Sequence, residues 1–382
     1  GLVAREGIGI TGVRADLKGK SSVVRLAIMG ELDAVVCPDH PHADPQTGAA
    51  HSCGHNAQIA AMIGVGLGLV YGEAMQYLAG DISLMAVPAE EYVEIEFREK
   101  LRREGKIDFL GGKQEWLALG ELDDTDLCMM FHSTTSEDYK IATKSGSNGF
   151  VGKLIKYKGK EAHAGGAPHL GVNALNAAMI GMMAVHAQRE TFKDSDHIRV
   201  HPIITKGGDL VNIVPADVRM ETYVRGANMK AIIEASAKVD RALQAGAMAV
   251  GAEVEIIQLP GYLPRVNEEV MSDVFEKNAI ELVGKENAGP PQSGSGSSDI
   301  GDISHIMPTI HPYVSGATGR SHANDYTIVD KELFYIVPAK AMAMTAIDLL
   351  FGDASEGLRA KESFVPLYSK ESYLRMWDEL LK

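Results

Sequence analysis

The chain has few cysteines, three in 382 residues: Cys37, Cys53 and Cys128. So sparse and odd a set argues against a disulfide framework and for a reducing compartment, so a cytoplasmic location is expected. No apolar run reaches the roughly 18 uninterrupted residues a membrane span requires. No charged stretch followed by an apolar one opens the chain, so neither a membrane partner nor a secretory signal is expected. Basic residues are also in short supply. Thirty-seven Lys and Arg against 51 Asp and Glu leave a formal charge of −14, with no basic block to meet a phosphate backbone, so nucleic acid is not expected as a partner.

What is present is a core. Apolar residues make up 45% and charged residues 23% of the chain, which describes a globular protein of two compact units or one large α/β unit with an insertion. Apolar runs at Val23–Met29, Ile82–Val87, Leu127–Phe131 and Thr309–Val314 end at Gly30, Pro88, His132 and a Gly-rich stretch, as buried strands do. A packed helix is expected over Asn56–Tyr71, and the combination gives a mainly parallel sheet covered by helices. The middle of the chain changes character. Strands at Phe150–Tyr157, Ile198–Thr205, Val218–Val224 and Val254–Leu259 alternate with helices at Val172–Gln188 and Asn228–Val250, the order of a ferredoxin-like α+β unit. The expected division is a discontinuous catalytic domain, residues 1–147 and 263–382, with an inserted domain at 148–262. The Gly-, Pro- and Ser-rich stretch Gly289–Ser298 reads as a loop, and the charged stretch Glu94–Lys106 as a solvated helix.

Side chains that can carry chemistry collect at the ends of the buried strands. His51-Ser52-Cys53-Gly54-His55 sets a thiol and an imidazole two residues apart, on one side of an extended segment. Pro88-Ala89-Glu90-Glu91 puts two carboxylates just past a strand end, where open α/β sheets bind ligands. His132 closes the third run, and His322 follows the fourth after a Gly-rich connection. Cys, His, Glu, His and His suffice for two adjacent divalent ions with one bridging ligand, an arrangement that activates water for hydrolysis. Asp33, after the first strand, is then placed to orient a ligand from behind. His40, His42 and His51 form a rival cluster, while His305 and His311 read as structural or rim residues.

Taken together, these motifs, with Glu161-Ala162-His163-Ala164-Gly165 and Ser321-His322-Ala323-Asn324-Asp325, resemble the M20 metallopeptidase family, in its amidohydrolase branch. The likeness runs from about residue 9 to 352 with the motifs in family order. Ser298-Asp299-Ile300-Gly301-Asp302 and Pro41-His42-Ala43-Asp44 look most like the aminobenzoyl-glutamate hydrolase subgroup. The resemblance implies that Cys53, His55, Glu91, His132 and His322 bind two divalent ions, zinc or manganese with nickel or cobalt as further candidates, and that the Cys53 thiolate bridges them. It makes Glu90 the general base, His163 the residue that helps hold the oxyanion or the substrate carboxylate, and Asn212 and Arg225 the substrate-carboxylate contacts. It implies that the 148–262 domain is a lid and the homodimer interface.

The activity so implied is hydrolysis of the amide C–N bond of small N-acyl or aroyl amino acids. A dipeptidase or an aromatic-amine deaminase using the same chemistry is the nearer alternative, and a non-catalytic metal-binding protein the farther one. The sequence departs from the family pattern in three places. The helical segment with which the family begins is not in this sequence, so residues preceding Gly1 are expected. Tyr92–Leu110 is a longer spacer than usual and reads as a substrate-side insert. Glu31 stands where the branch commonly has Asp and related peptidases a His ligand, which leaves a metal role for Glu31 open.

Overall fold

In the computed structural model, which describes residues 3–291 and 294–381, the N-terminal apolar runs become the middle of a six-stranded sheet. Its order is Ala4–Ile8, Gly12–Leu17, Gly80–Val87, Val24–Glu31, Leu127–Met129, Thr309–Ile310. The last four strands are parallel neighbours, and the first two add an antiparallel hairpin at one edge. Gly80–Val87 is buried at every position, which is why its sequence is a continuous apolar run instead of an alternation.

Helices supply the apolar surface that covers it. Ala57, Ala61, Val65 and Leu69, one side of the helix His55–Tyr71, share a core with Leu26, Ile28, Ile82 and Leu84 of the sheet and with Ala341, Met342, Ala346 and Leu349 of Val337–Leu350. The segment Glu332–Leu350 is long and apolar enough to cross a membrane by length and composition; most of its apolar residues, though not Ile336, belong to this core.

Two expected strands are broken, each at a proline, which cannot donate a ladder hydrogen bond. The run Thr309–Val314 splits at His311-Pro312 into Thr309–Ile310, paired with Leu127–Met129, and Tyr313–Val314, paired with His132–Ser133 in a small separate sheet. The run Ile198–Thr205 splits at His201-Pro202 into Arg199–Val200 and Ile203–Lys206, both paired with Asp217–Gly226.

The chain forms two compact units: residues up to Gly146 with Arg265–Gly294 and Ser298–Tyr373, and Ser147–Pro264 with Ser295–Ser297 and the residues from Leu374 on. The C-terminal residues from Leu374 thus group with the second unit instead of the first, and there Gln258 Nε2 donates to the Leu380 carbonyl at 2.7 Å. The second unit is an antiparallel sheet in the order Arg199–Val200, Asp217–Gly226, Gly149–Lys158, Glu253–Leu259. Asp217–Gly226 is buried at every second residue, as a strand with one covered face must be. The helices Ala174–Ala187 and Met229–Val250 begin at Asn173 and Asn228, whose side chains accept from the amides of Asn176 and Ala231.

These two helices approach closely because glycines face each other. A Cβ on Gly246 would sit 2.4 Å from the Ala177 carbonyl oxygen and 2.5 Å from the Gly181 nitrogen. Gly246→Ala is therefore expected to destabilise the protein by about 1–3 kcal/mol. Gly68, inside the helix His55–Tyr71 with open space around its Cβ position, should behave oppositely, Gly68→Ala adding up to about 1 kcal/mol. Urea unfolding midpoints of the two variants check the contrast.

Candidate metal centre

The candidate donors converge through three backbone reversals in the first unit. Gly54 has φ +89° between Cys53 and His55, and a Cβ there would lie 1.9 Å from Ser133 Oγ, so only glycine fits. Ala89, before Glu90, and His322 itself have φ of +62° and +64°, a region that costs non-glycine residues free energy and that clusters at functional sites. The His322 amide is tied to the Ser52 carbonyl at 2.9 Å. Ser133 Oγ donates to the Cys53 carbonyl at 3.0 Å and lies 2.9 Å from Tyr326 Oη. The thiol segment is thus locked from two sides.

Around these reversals lie two groups of donor atoms, Cys53–His55–His132 and Cys53–Glu91–His322, each with its atoms within 4.8 Å of one another. Cys53 belongs to both. Its Sγ is 3.6 Å from His132 Nε2 and 3.2 Å from His322 Nε2, and His322 Nε2 is 2.8 Å from Glu91 Oε1. A third group joins Glu31, His55 and Glu90. Cys53, His55, Glu90 and Glu91 are buried, and His322 is 49% exposed, which leaves one side of the cluster open to solvent.

Partners behind the donors orient them. His55 Nδ1 faces the Asp33 carbonyl at 3.0 Å and Asp33 Oδ1 at 3.3 Å, while Asp33 Oδ2 accepts from the Glu91 amide at 2.8 Å. His132 Nδ1 donates to the Ser133 carbonyl at 2.8 Å. In both rings Nε2 is therefore the atom turned toward the cluster.

The donor set fits divalent ions. His55 Nε2 and Glu91 Oε1 are buried, and the groups facing them are themselves candidate donors to an ion, Glu31 Oε2 at 3.0 Å and His322 Nε2 at 2.8 Å. One thiolate with imidazoles and carboxylates is a usual zinc-type donor set.

The local field separates the acidic groups. Burial works against the Cys53 thiolate, but His132, His322 and His55 together bring its pKa well below the ordinary thiol value. Hydrogen bonds to Cys53 and Glu91 raise His322 to about 10. Burial first, then the charges of Glu31 and Glu91, push Glu90 well above the usual carboxylate range. Glu90 Oε2 lies 3.9 Å from His55 Nε2. A carboxyl group raised in this way is suited to taking up a proton and returning it.

The residues expected from the second unit form their own arrangement. His163 is exposed and forms an antiparallel bridge with Ile213. Its Nδ1 accepts from the amides of Gly165 and Gly166 at 3.2 and 2.9 Å, so the proton of the neutral ring resides on Nε2. Beside it the Asn212 carbonyl accepts from the Ala164 amide at 2.8 Å. Arg225 lies in Asp217–Gly226, stacks over Phe150 and Tyr223, and donates to Ser297 Oγ at 2.9 Å. Two of the other histidines have partners of their own. His40 Nε2 donates to the Tyr326 carbonyl and its Nδ1 accepts from the His42 amide, and buried His311 is paired with Arg265.

Sequence reasoning missed a buried cation. Lys113, at the start of the helix Gly112–Leu119 just past the proposed insert, is fully buried. Its Nζ lies 2.5 Å from Glu31 Oε1 and 2.5 Å from Asp299 Oδ1. A lysine in a polar stretch gives no sequence signal of burial; the tract Ser298–Asp302 held its partner.

Residues 145–249 match the family model of a peptidase dimerisation domain. The chain is 29% identical over 326 residues to the Xaa-Arg dipeptidase of Mus musculus, covering 81% of this chain and 69% of that protein. It is 32% identical over 190 residues to a Haemophilus influenzae homolog of a p-aminobenzoyl-glutamate hydrolase component, covering 49% of this chain and 40% of that one. Among solved structures, a dinuclear metal binding peptidase from the M20 family of Bacillus subtilis superposes with a TM-score of 0.65 at 20% identity, covering 91% of this chain and 88% of that one.

Removing the buried cation should be costly. Lys113→Met would leave Glu31 and Asp299 unpaired with no solvent access, an expected loss of about 3–5 kcal/mol. Chemical denaturation of the purified variant measures it.

Proposed function

Because the chain belongs to the M20 peptidase family and is a hydrolase acting on carbon–nitrogen bonds, we propose that it is a binuclear metal amidohydrolase cleaving small N-acyl or aroyl amino acids. The observation that carries this reading is the pair of donor groups sharing Cys53. In it Cys53 would be shared by the two ions, His55 and His132 would complete one ligand set, and Glu91 and His322 would complete the other. Zinc or manganese suits these donors, and when bound such ions make water acidic and polarise the amide carbonyl.

The chain's own residues do the rest. Glu90 takes the proton from the attacking water and passes it to the departing amine. Asp33 keeps His55 and Glu91 in register. His163, held with Nε2–H outward, is the donor assigned to the carbonyl oxygen as charge builds on it, and Asn212 and Arg225 are assigned to the substrate carboxylate. We further propose that the protein is a homodimer through its dimerisation domain. The free thiols of Cys37, Cys53 and Cys128 fit a reducing, cytoplasmic setting. The likeness to an Xaa-Arg dipeptidase over most of the chain favours dipeptides as the second substrate class.

Amine release from aroyl-glutamates, N-acyl amino acids and dipeptides, measured side by side, tests the reading. Turnover should disappear on chelation and return with Zn²⁺ or Mn²⁺; hydrolysis of none of these substrates by the metal-loaded protein would reject it. Glu90→Gln should keep its metal while turnover falls ~10²- to 10⁴-fold, whereas Glu91→Gln should lose metal. Metal analysis of both variants checks this, and the reverse pattern would exchange the two roles.

His163→Ala should lower kcat with metal content unchanged. Mixing inactive Glu90→Gln and His163→Ala protomers will recover activity if His163 serves the partner's site. Unchanged kcat in His163→Ala would remove it from the mechanism.

A further inference from the structure

The acidic side chain nearest His55 is held from behind by a device that the ligand set above does not use. Glu31 ends the strand Val24–Glu31 and is fully buried. Its Oε1 is engaged by Lys113 Nζ at 2.5 Å. Lys113 is in turn fixed by Asp299, which accepts from Nζ through Oδ1 at 2.5 Å and from the Lys113 backbone amide through Oδ2 at 2.8 Å. Gln58, from the helix that starts at His55, donates to Glu31 Oε2 at 2.8 Å and accepts from the Glu31 amide at 3.0 Å. Every side chain in this assembly is fully buried, so the glutamate has a single orientation available to it.

That orientation brings Glu31 Oε2 to 3.0 Å from His55 Nε2. Nδ1 faces the Asp33 carbonyl, so Nε2 is the ring atom turned to the glutamate, and Glu31, His55 and Glu90 bring donor atoms within 4.8 Å of one another. A carboxylate oxygen and a ring nitrogen this close in a dry site need positive charge between them, which a second ring proton or a metal ion supplies. The clamp holds the two atoms in the relation that two ligands of one ion have.

We infer that Lys113 and Asp299 are positioning residues of the metal centre, holding Glu31 so that its Oε2 joins His55 in binding an ion. The inference rests on the metal-centre reading above. It adds an oxygen donor to the ion on the His55 side and gives the tract Ser298–Asp302 a task at the site, although none of its residues touches an ion or substrate.

Metal binding tests this without reference to turnover. The whole chain, stripped by dialysis against chelator, is titrated with Co²⁺ in competition with a chromogenic chelator while the visible ligand-field spectrum is recorded. Wild type should take up two ions per chain. Glu31→Gln should bind one of them at least ~10-fold more weakly, in the range seen when ligand-orienting groups are removed, with a changed spectrum for that ion and an unchanged second site. The double variant Lys113→Met/Asp299→Asn removes one charge of each sign and leaves Glu31 in place, so it should show the same selective weakening. Should the double variant fail to fold by circular dichroism, the isosteric Asp299→Asn takes its place with the same expected direction.

Two wild-type affinities and a wild-type spectrum in Glu31→Gln would overturn the role of Glu31. The same result in the folded clamp variant would overturn the role of Lys113 and Asp299. Failure of wild type itself to bind Co²⁺ would instead reject the metal-centre reading on which both depend.

Discussion

Carboxylates cannot be gathered in a dry interior without cations to meet them, and this constraint shapes the first unit from its sheet outward. Glu31, Glu90, Glu91 and Asp299 are all buried, and the idealised cost of moving one such charge out of water is of order 20 kcal/mol. Lys113 answers Glu31 and Asp299. Imidazoles and the donor geometry around Cys53 answer the others. The parallel strands bring the groups to one end of the sheet, and the helix Gly112–Leu119 can deliver its lysine there only because Gly112 packs against the Pro88 carbonyl, which a Cβ would approach to 1.7 Å.

The same convergence explains where the backbone departs from its easy conformations. Donors arriving from separate strand ends must turn inward within one or two residues. Gly54, Ala89 and His322 all do so through the left-handed region. The paired break, in which the chain leaves the main sheet after Leu127–Met129 and after Thr309–Ile310 and His132–Ser133 pairs with Tyr313–Val314 in a separate sheet, is a second way of turning. It puts His132 in a different sheet from Leu127–Met129 while the Pro312 carbonyl still accepts from the His132 amide at 2.9 Å. Each unfavourable torsion costs of order 1–3 kcal/mol, a sum that the apolar core beneath can offset.

What could be read from sequence follows the same physics. Strand ends marked by Pro88, Gly30 and His132 were legible because apolar runs stop abruptly where side chains turn polar; Glu91 and His132 stood at such stops, and Cys53, His55 and His322 in metal-type motifs beyond them. The ferredoxin-like order of the second unit was legible from periodicity, down to the alternation in Asp217–Gly226. Lys113 was not, since a lysine inside a polar helix start looks solvated until its partners, 82 and 186 residues away in the chain, are brought to it. The breaks at His201-Pro202 and His311-Pro312 were hidden for a related reason: flanking β-branched residues favour a strand on either side, and only the pairing partner decides whether it is one strand or two.

The proposed assignments also divide by unit. Every candidate ligand and Glu90 come from the first unit, and His163, Asn212 and Arg225 from the second. On those assignments ion binding would depend on the packing around Cys53 and on the Lys113 clamp, and recognition of the carbonyl oxygen and the substrate carboxylate on the second sheet and its glycine-packed helix pair. The two properties can therefore fail separately. Damage to the second unit should spare the metal, whereas damage to the clamp should reach catalysis only through the ion. His163 is suited to such a division because the amides of Gly165 and Gly166 fix its tautomer locally. Its readiness to donate from Nε2 is set within its own loop and needs nothing from the metal-binding unit.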